Sequence, residues 1–158
     1  MQKWVTAGVA RVDEENCGLK IVGPTGEVLS VHALEEKLFR VTLCPGGETR
    51  PASKRTWAVV GHAGDVPREG RLCSDYTRWG GGFRGQMATE EPAATLATPA
   101  ATVTASHPAD ALALQWTTPE GVCFARDLRS GAYKFDALGN GVRHYMERRP
   151  NQEHYYGV

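Results

Sequence analysis

Residue types able to do acid–base, nucleophilic or metal chemistry are all present in this chain, but they are not assembled at the spacings such chemistry needs. Histidines 32, 62, 107, 144 and 154 never fall two, three or four apart, so local sequence offers no first set of metal ligands. Cys17, Cys44, Cys73 and Cys123 are widely and irregularly spaced, with no Cys-x-x-Cys pair. They read as buried or partly buried thiols rather than ligands or nucleophiles. No Gly-x-Ser-x-Gly elbow and no papain-like cysteine surround appears. Asp13-Glu14-Glu15-Asn16 offers paired carboxylates, the raw material of general acid–base catalysis. Contiguous acids in a polar turn point in different directions into water, and a solvated turn is the reading they support.

Asp127 stands between Arg126 and Arg129. Guanidinium groups beside a carboxylate favour its charged form, which suits an ion pair better than a proton donor. Asp127 is also a candidate contact for substrate. Tyr76 and Trp79 lie among Arg68, Arg71, Arg78 and Arg84, where an aromatic face could stack on a sugar. Gly80-Gly81-Gly82-Phe83-Arg84-Gly85 is glycine-rich but lacks a following Lys-Ser/Thr and a strand–helix frame, so it makes a poor phosphate loop. His144 and His154 bracket Arg148-Arg149-Pro150, and both read as structural.

The elements that must position these residues are strands. Pro119-Glu120-Gly121 separates Leu112–Trp116 from Val122–Ala125, and Gly139-Asn140-Gly141 separates Tyr133–Asp136 from Val142–Met146. Glycine and asparagine supply the positive φ that a tight reversal needs, and β-branched or aromatic residues flank both turns. Leu19–Val22 and Val28–Val31 flank Pro24-Thr25-Gly26 as a further hairpin. Lys3–Val12 reads as a first strand that Asp13 ends, Leu38–Leu43 as a strand stopped by Pro45-Gly46-Gly47, and Thr56–Val60 as another. Ahead of Leu38 an exposed edge or a single helical turn is expected. Residues 88–101, rich in Ala, Thr and Pro, read as a low-complexity surface excursion. Ala101–Ser106 then begins an antiparallel run. Strands recurring roughly every ten residues, with no amphipathic helix of ordinary length, predict an all-β fold. The expectation is a single antiparallel β-sandwich of many short strands over residues 1–158.

Composition narrows the function classes. The chain has 158 residues, 18 basic against 18 acidic, and a formal charge of zero. That is one domain with room for a core, and it argues against a nucleic-acid binder or a partner of anionic membranes. Eighteen glycines and nine prolines favour turns and short strands. The N-terminus lacks the apolar stretch of a signal peptide, and no run reaches membrane length, so a cytoplasmic protein without metal or cofactor is the default expectation.

Short motifs in a shared order add a resemblance. Phe39-Arg40-Val41 with Pro45-Gly46-Gly47, Thr56–Val60 and Val66-Pro67-Arg68-Glu69-Gly70-Arg71 come first. Phe124-Ala125-Arg126-Asp127, Gly131-Ala132-Tyr133, Val142-Arg143-His144-Tyr145, Arg148 and Tyr155-Tyr156-Gly157 follow. Together they resemble the N-terminal, galactose-mutarotase-like β-supersandwich of glycoside hydrolase family 31, the α-glucosidase and α-xylosidase family. The resemblance implies a parent enzyme hydrolysing an α-glucoside or α-xyloside with retention. That chemistry needs two carboxyl groups roughly 5–5.5 Å apart. In the family both are aspartates on a (β/α)8 barrel, and no position here matches their motifs, so the resemblance implies a chain without catalytic residues. It also implies that the barrel is the partner, that Tyr155 and Tyr156 lie at the junction with it, and that this chain is a fragment lacking it. A free-standing carbohydrate-binding or interaction sandwich built on Tyr76 and Trp79 is the alternative. An enzyme resembling aldose mutarotases is a further one.

Overall fold

The computed structural model describes residues 3–15, 18–47, 86–90, 93–107, 111–137 and 141–148. These hold twelve strands and no helix. β1 is Trp4–Thr6, β2 Arg11–Glu15, β3 Gly18–Val22, β4 Val28–Glu35, β5 Leu38–Cys44 and β6 Gln86–Glu90. β7 is Ala93–Ala97, β8 Thr102–Ser106, β9 Ala113–Thr117, β10 Cys123–Arg126, β11 Tyr133–Asp136 and β12 Val142–His144. They form a four-stranded sheet β2-β3-β4-β5, a five-stranded sheet β10-β9-β8-β7-β6, and a three-stranded sheet β1-β11-β12. Every pairing is antiparallel. The all-β antiparallel sandwich expected from the turn spacing is therefore the fold.

Alternation builds the two larger sheets. On β3 and β4, Leu19, Ile21, Leu29 and Val31 are fully buried and meet across the register Leu19↔Val31 and Ile21↔Leu29. The turn between them closes at Gly26, whose φ of 90° lies in the region a side chain disfavours. In the five-stranded sheet the inward rows are Leu96, Val103 and Trp116, and then Ala94, Ala105 and Leu114. Thr95, Thr104 and Gln115 alternate to the opposite face. The inward faces of the two sheets share one apolar core, and Phe39 of β5 meets Trp116 of β9 edge-on with ring centroids 5.2 Å apart. β1 pairs with β11, so the two ends of the described chain close on one sheet.

Four local expectations are corrected. Residues 93–97, read as part of a surface excursion, form β7 in the five-stranded sheet, with Ala94 and Leu96 buried. Their Ala/Thr composition conceals a period of two. Lys3–Val12 is not one strand: β1 ends at Thr6 and β2 begins at Arg11. Asp13 lies within β2 rather than in a turn, opposite Lys20 of β3. β2 is a sheet edge, where charged side chains are tolerated and discourage pairing with another chain. Ahead of Leu38 there is neither a free edge nor a helical turn, because β4 runs on to Glu35 and turns straight into β5.

Candidate functional site

Asp127 is the sequence-predicted site residue that the described structure places, and its side chain is buried at 1% exposure. Tyr76, Trp79, Tyr155 and Tyr156 lie outside the described residues, as do the Thr56–Val60 strand and the Gly80–Gly85 loop. Asp127 follows β10, where the edge of the five-stranded sheet touches the edge of the three-stranded one through a single bridge between Asp127 and Met146. Its backbone N–H donates to Leu114 O at 2.8 Å, and its Oδ2 accepts from the Leu114 N–H at 2.9 Å. Oδ1 stands 2.7 Å from His144 Nε2, and the Tyr133 hydroxyl also hydrogen-bonds the carboxylate.

The expected ion pair with a neighbouring arginine does not form. Consecutive residues on extended chain point to opposite faces, so Arg126 and Asp127 diverge. Arg126 instead pairs with Glu147, Nη2 to Oε2 at 2.6 Å and Nε to the same oxygen at 2.8 Å. Asp127 takes its side-chain partner His144 from β12, 17 residues away.

A carboxylate only accepts, so His144 Nε2 carries the hydrogen of this contact. The imidazole stacks on the Tyr133 ring, centroids 4.6 Å apart and planes 12° apart. Burial, reinforced by the Asp127 charge and by the hydrogen bond to it, pushes the Tyr133 phenol well above its ordinary range. It stays a donor. An imidazole oriented by a carboxylate is the arrangement of many general bases. Here, however, neither of the two cavities described next is lined by His144 or Asp127. What the cluster demonstrably does is satisfy a buried charge and pin β12, whose three residues are all exposed. Arg143 adds to this by lying 3.9 Å over the Trp4 ring.

A second buried carboxylate, Glu27, is similarly consumed by the fold. It accepts from the Gly8 N–H at 3.1 Å, and from the Thr25 N–H and hydroxyl at 3.0 and 2.6 Å.

Two clefts open where β8 ends. One, of about 250 Å³, lies between β2 and β3 on one side and β7 and β8 on the other, with Val9, Val12, Ile21 and Ala94 in its apolar walls. The other, of about 320 Å³, is lined by Ser106, His107, Ala113, Leu114, Gln115, Arg126 and Arg129. Sequence reasoning noticed Arg126 and Arg129 only as neighbours of Asp127 and missed the cleft. Its lining comes from three strands and a turn, which no local motif records. Among the described residues no group of three His, Cys, Asp or Glu is placed to hold a metal ion. No helix among them is long and apolar enough to cross a membrane.

Apolar side chains are exposed along the neighbouring edges of β10 and β12. Val122, Phe124, Val142 and Met146 are 61%, 44%, 49% and 49% exposed, and Leu128 and Tyr145 are joined through Leu128 N–H to Tyr145 O.

No family model matches the chain, and no curated protein matches it. Solved structures do. One is an uncharacterized protein of Listeria monocytogenes EGD-e, in complex with α-D-glucose, β-D-glucose, magnesium and calcium. Another is the cycloalternan-forming enzyme of Listeria monocytogenes, in complex with a pentasaccharide substrate. Each superimposes with a TM-score of 0.58 at 12% identity over 89% of this chain. What is shared at that identity is the fold. The chain spans 11% of the length of these neighbours.

Proposed function

We propose that this chain is the non-catalytic N-terminal β-sandwich of a retaining α-glycosidase of family 31, serving to support and partly wall the active site of a (β/α)8 barrel. The observation that carries the reading is the fold it shares with a small part of a much longer sugar-acting enzyme. The ordered motifs from Phe39 to Tyr156 support it independently. Asp127 and Glu27 support it too, since both of these buried carboxylates are engaged in holding strands together. A carboxyl group whose oxygens already accept such structural bonds is a poor nucleophile or proton shuttle. The parent reaction is hydrolysis of an α-linked terminal glucose or xylose. Asp127 in this reading acts behind the substrate wall, keeping the β10–β12 edge in place, and Tyr155 and Tyr156 stand at the passage to the barrel.

The exposed apolar edge of β10 and β12 is consistent with a face covered in the parent. Apolar side chains concentrated on two adjacent sheet edges mark an interaction surface more often than an idle one.

The test is the coding sequence beyond Val158 together with an activity assay. A continuous frame into a barrel bearing two catalytic aspartates is expected, and the present chain alone should not turn over aryl α-glucosides or α-xylosides. An in-frame stop directly after Val158, or turnover by the isolated chain that a His144→Ala variant abolishes, overturns the proposal. Selective binding on a glycan array by a chain that ends there favours a free-standing carbohydrate-binding module.

A further inference from the structure

We infer that the cleft on the outer face of the five-stranded sheet is a binding site for a small oxyanion-bearing ligand, a phosphate monoester or carboxylate carried on a body of about one sugar ring. The register builds its floor. Gln115 stands opposite Arg126 across β9 and β10, and Ala113 stands opposite Ser106 across β8 and β9. Arg129 enters from the turn that follows β10, and His107 from the end of β8. At about 320 Å³ the cleft falls at the lower end of the range for small-molecule sites, which fits one ring and a charged group.

The chemistry of the lining specifies the ligand. Ser106, His107, Gln115 and Arg129 all present donors, and among the described residues none of these side chains is in a hydrogen bond or ion pair. Arg126 commits Nε and Nη2 to one oxygen of Glu147, which leaves the guanidinium three further N–H groups. The neighbouring negative charges are already answered: Glu147 by Arg126, and Asp127 by Leu114, His144 and Tyr133. Arg129 therefore contributes a positive charge that nothing described balances. A planar guanidinium fork over a row of neutral donors matches a carboxylate or phosphate in two-point contact, whereas a neutral sugar leaves it unmatched. Ala113, in the same outward row as Gln115, supplies the apolar part of the floor, while the Leu114 side chain turns inward to the core. This inference is independent of the proposed parent enzyme and can fail without affecting it.

Calorimetric titration of the full chain with glucose 6-phosphate, glucuronate and unmodified glucose tests it, with two-dimensional NMR to locate the site. Both charged probes should bind at millimolar concentration or below, shift the amides of Ala113 and Gln115, and weaken as salt rises. Glucose should bind at least about tenfold more weakly, since a charge-assisted pair contributes about that factor or more. Arg129→Gln should lower the affinity for both charged probes by about tenfold or more, again the loss of one charge-assisted contact. Arg129 is exposed, so that variant should fold, and Gln115→Leu provides a second, uncharged reading of the same floor. Equal affinity for glucose and its phosphate, binding that Arg129→Gln leaves unchanged, or shifts confined to other strands overturns the inference.

Discussion

The β3–β4 hairpin and the β10–β12 edge are both antiparallel ribbons, yet they are held in place by different physics. In the hairpin, every second residue is buried and apolar, so the register Leu19↔Val31 is fixed by area removed from water. A slip of one residue would expose the whole set. β12 has no buried face at all. Its register on β11 is fixed instead by directed contacts: His144 to Asp127, His144 stacked on Tyr133, and Arg143 over Trp4. Non-directional burial makes the interior robust to polar change on its outer face. The directed cluster makes the edge depend on a few atoms.

Substitutions can break or sharpen that contrast. The largest effect is expected in the interior, where Leu29→Ala should lose about 3–5 kcal/mol of stability, read as the shift of a urea unfolding curve. Exchange of all core amides should accelerate together. Asp127→Ala should cost about 3 kcal/mol, because the Leu114 N–H, the Tyr133 hydroxyl and the His144 imidazole lose their common acceptor. Here amide protection should fall first at Leu128 and Tyr145, whose N–H groups tie the edge to its neighbours. Asp127→Asn should cost less, as one oxygen remains to accept. If Asp127→Ala destabilises β3 and β4 as strongly as β12, the two regions are not distinct and the contrast fails.

Tyr133→Phe is the intermediate case, expected to cost about 1–2 kcal/mol at neutral pH through the lost hydrogen bond to a charged group. The pH dependence has a defined sign. The folded-state pKa of Tyr133 is raised above the ordinary value of 10.0, so the unfolded chain releases the phenol proton first. The contribution is fully present below pH 10 and declines as the pH rises beyond it. Wild type should therefore lose stability above pH 10 more steeply than Tyr133→Phe; parallel curves would show that the phenol is not held neutral. The smallest effect belongs to Glu147→Ala. The Arg126–Glu147 pair is part-exposed at 38% and 28%, and its loss should cost about 0.5 kcal/mol and vanish in high salt.

Where a turn residue and an alternating flank agreed, the chain could be read directly. The strands either side of Pro24-Thr25-Gly26 and Pro119-Glu120-Gly121 pair as expected, and Tyr133–Asp136 is β11 to the residue. Reading failed where composition hid the pattern, as in Ala93–Ala97, and where acids sat in an edge strand, as at Asp13. At the candidate site, Asp127 could be singled out because arginines flank it. Its partners could not, since Leu114, Tyr133 and His144 reach it from β9, β11 and β12.

Local sequence thus determined the strands, most of their turns and the all-β class, because positive φ at glycine and a period of two are properties of a few adjacent residues. Which edges meet, which carboxylates are buried and which arginine is left to face a cleft were settled only when the sheets packed. Those outcomes depend on residues far apart in the chain, and sequence distance says nothing about the face on which two strands will find each other.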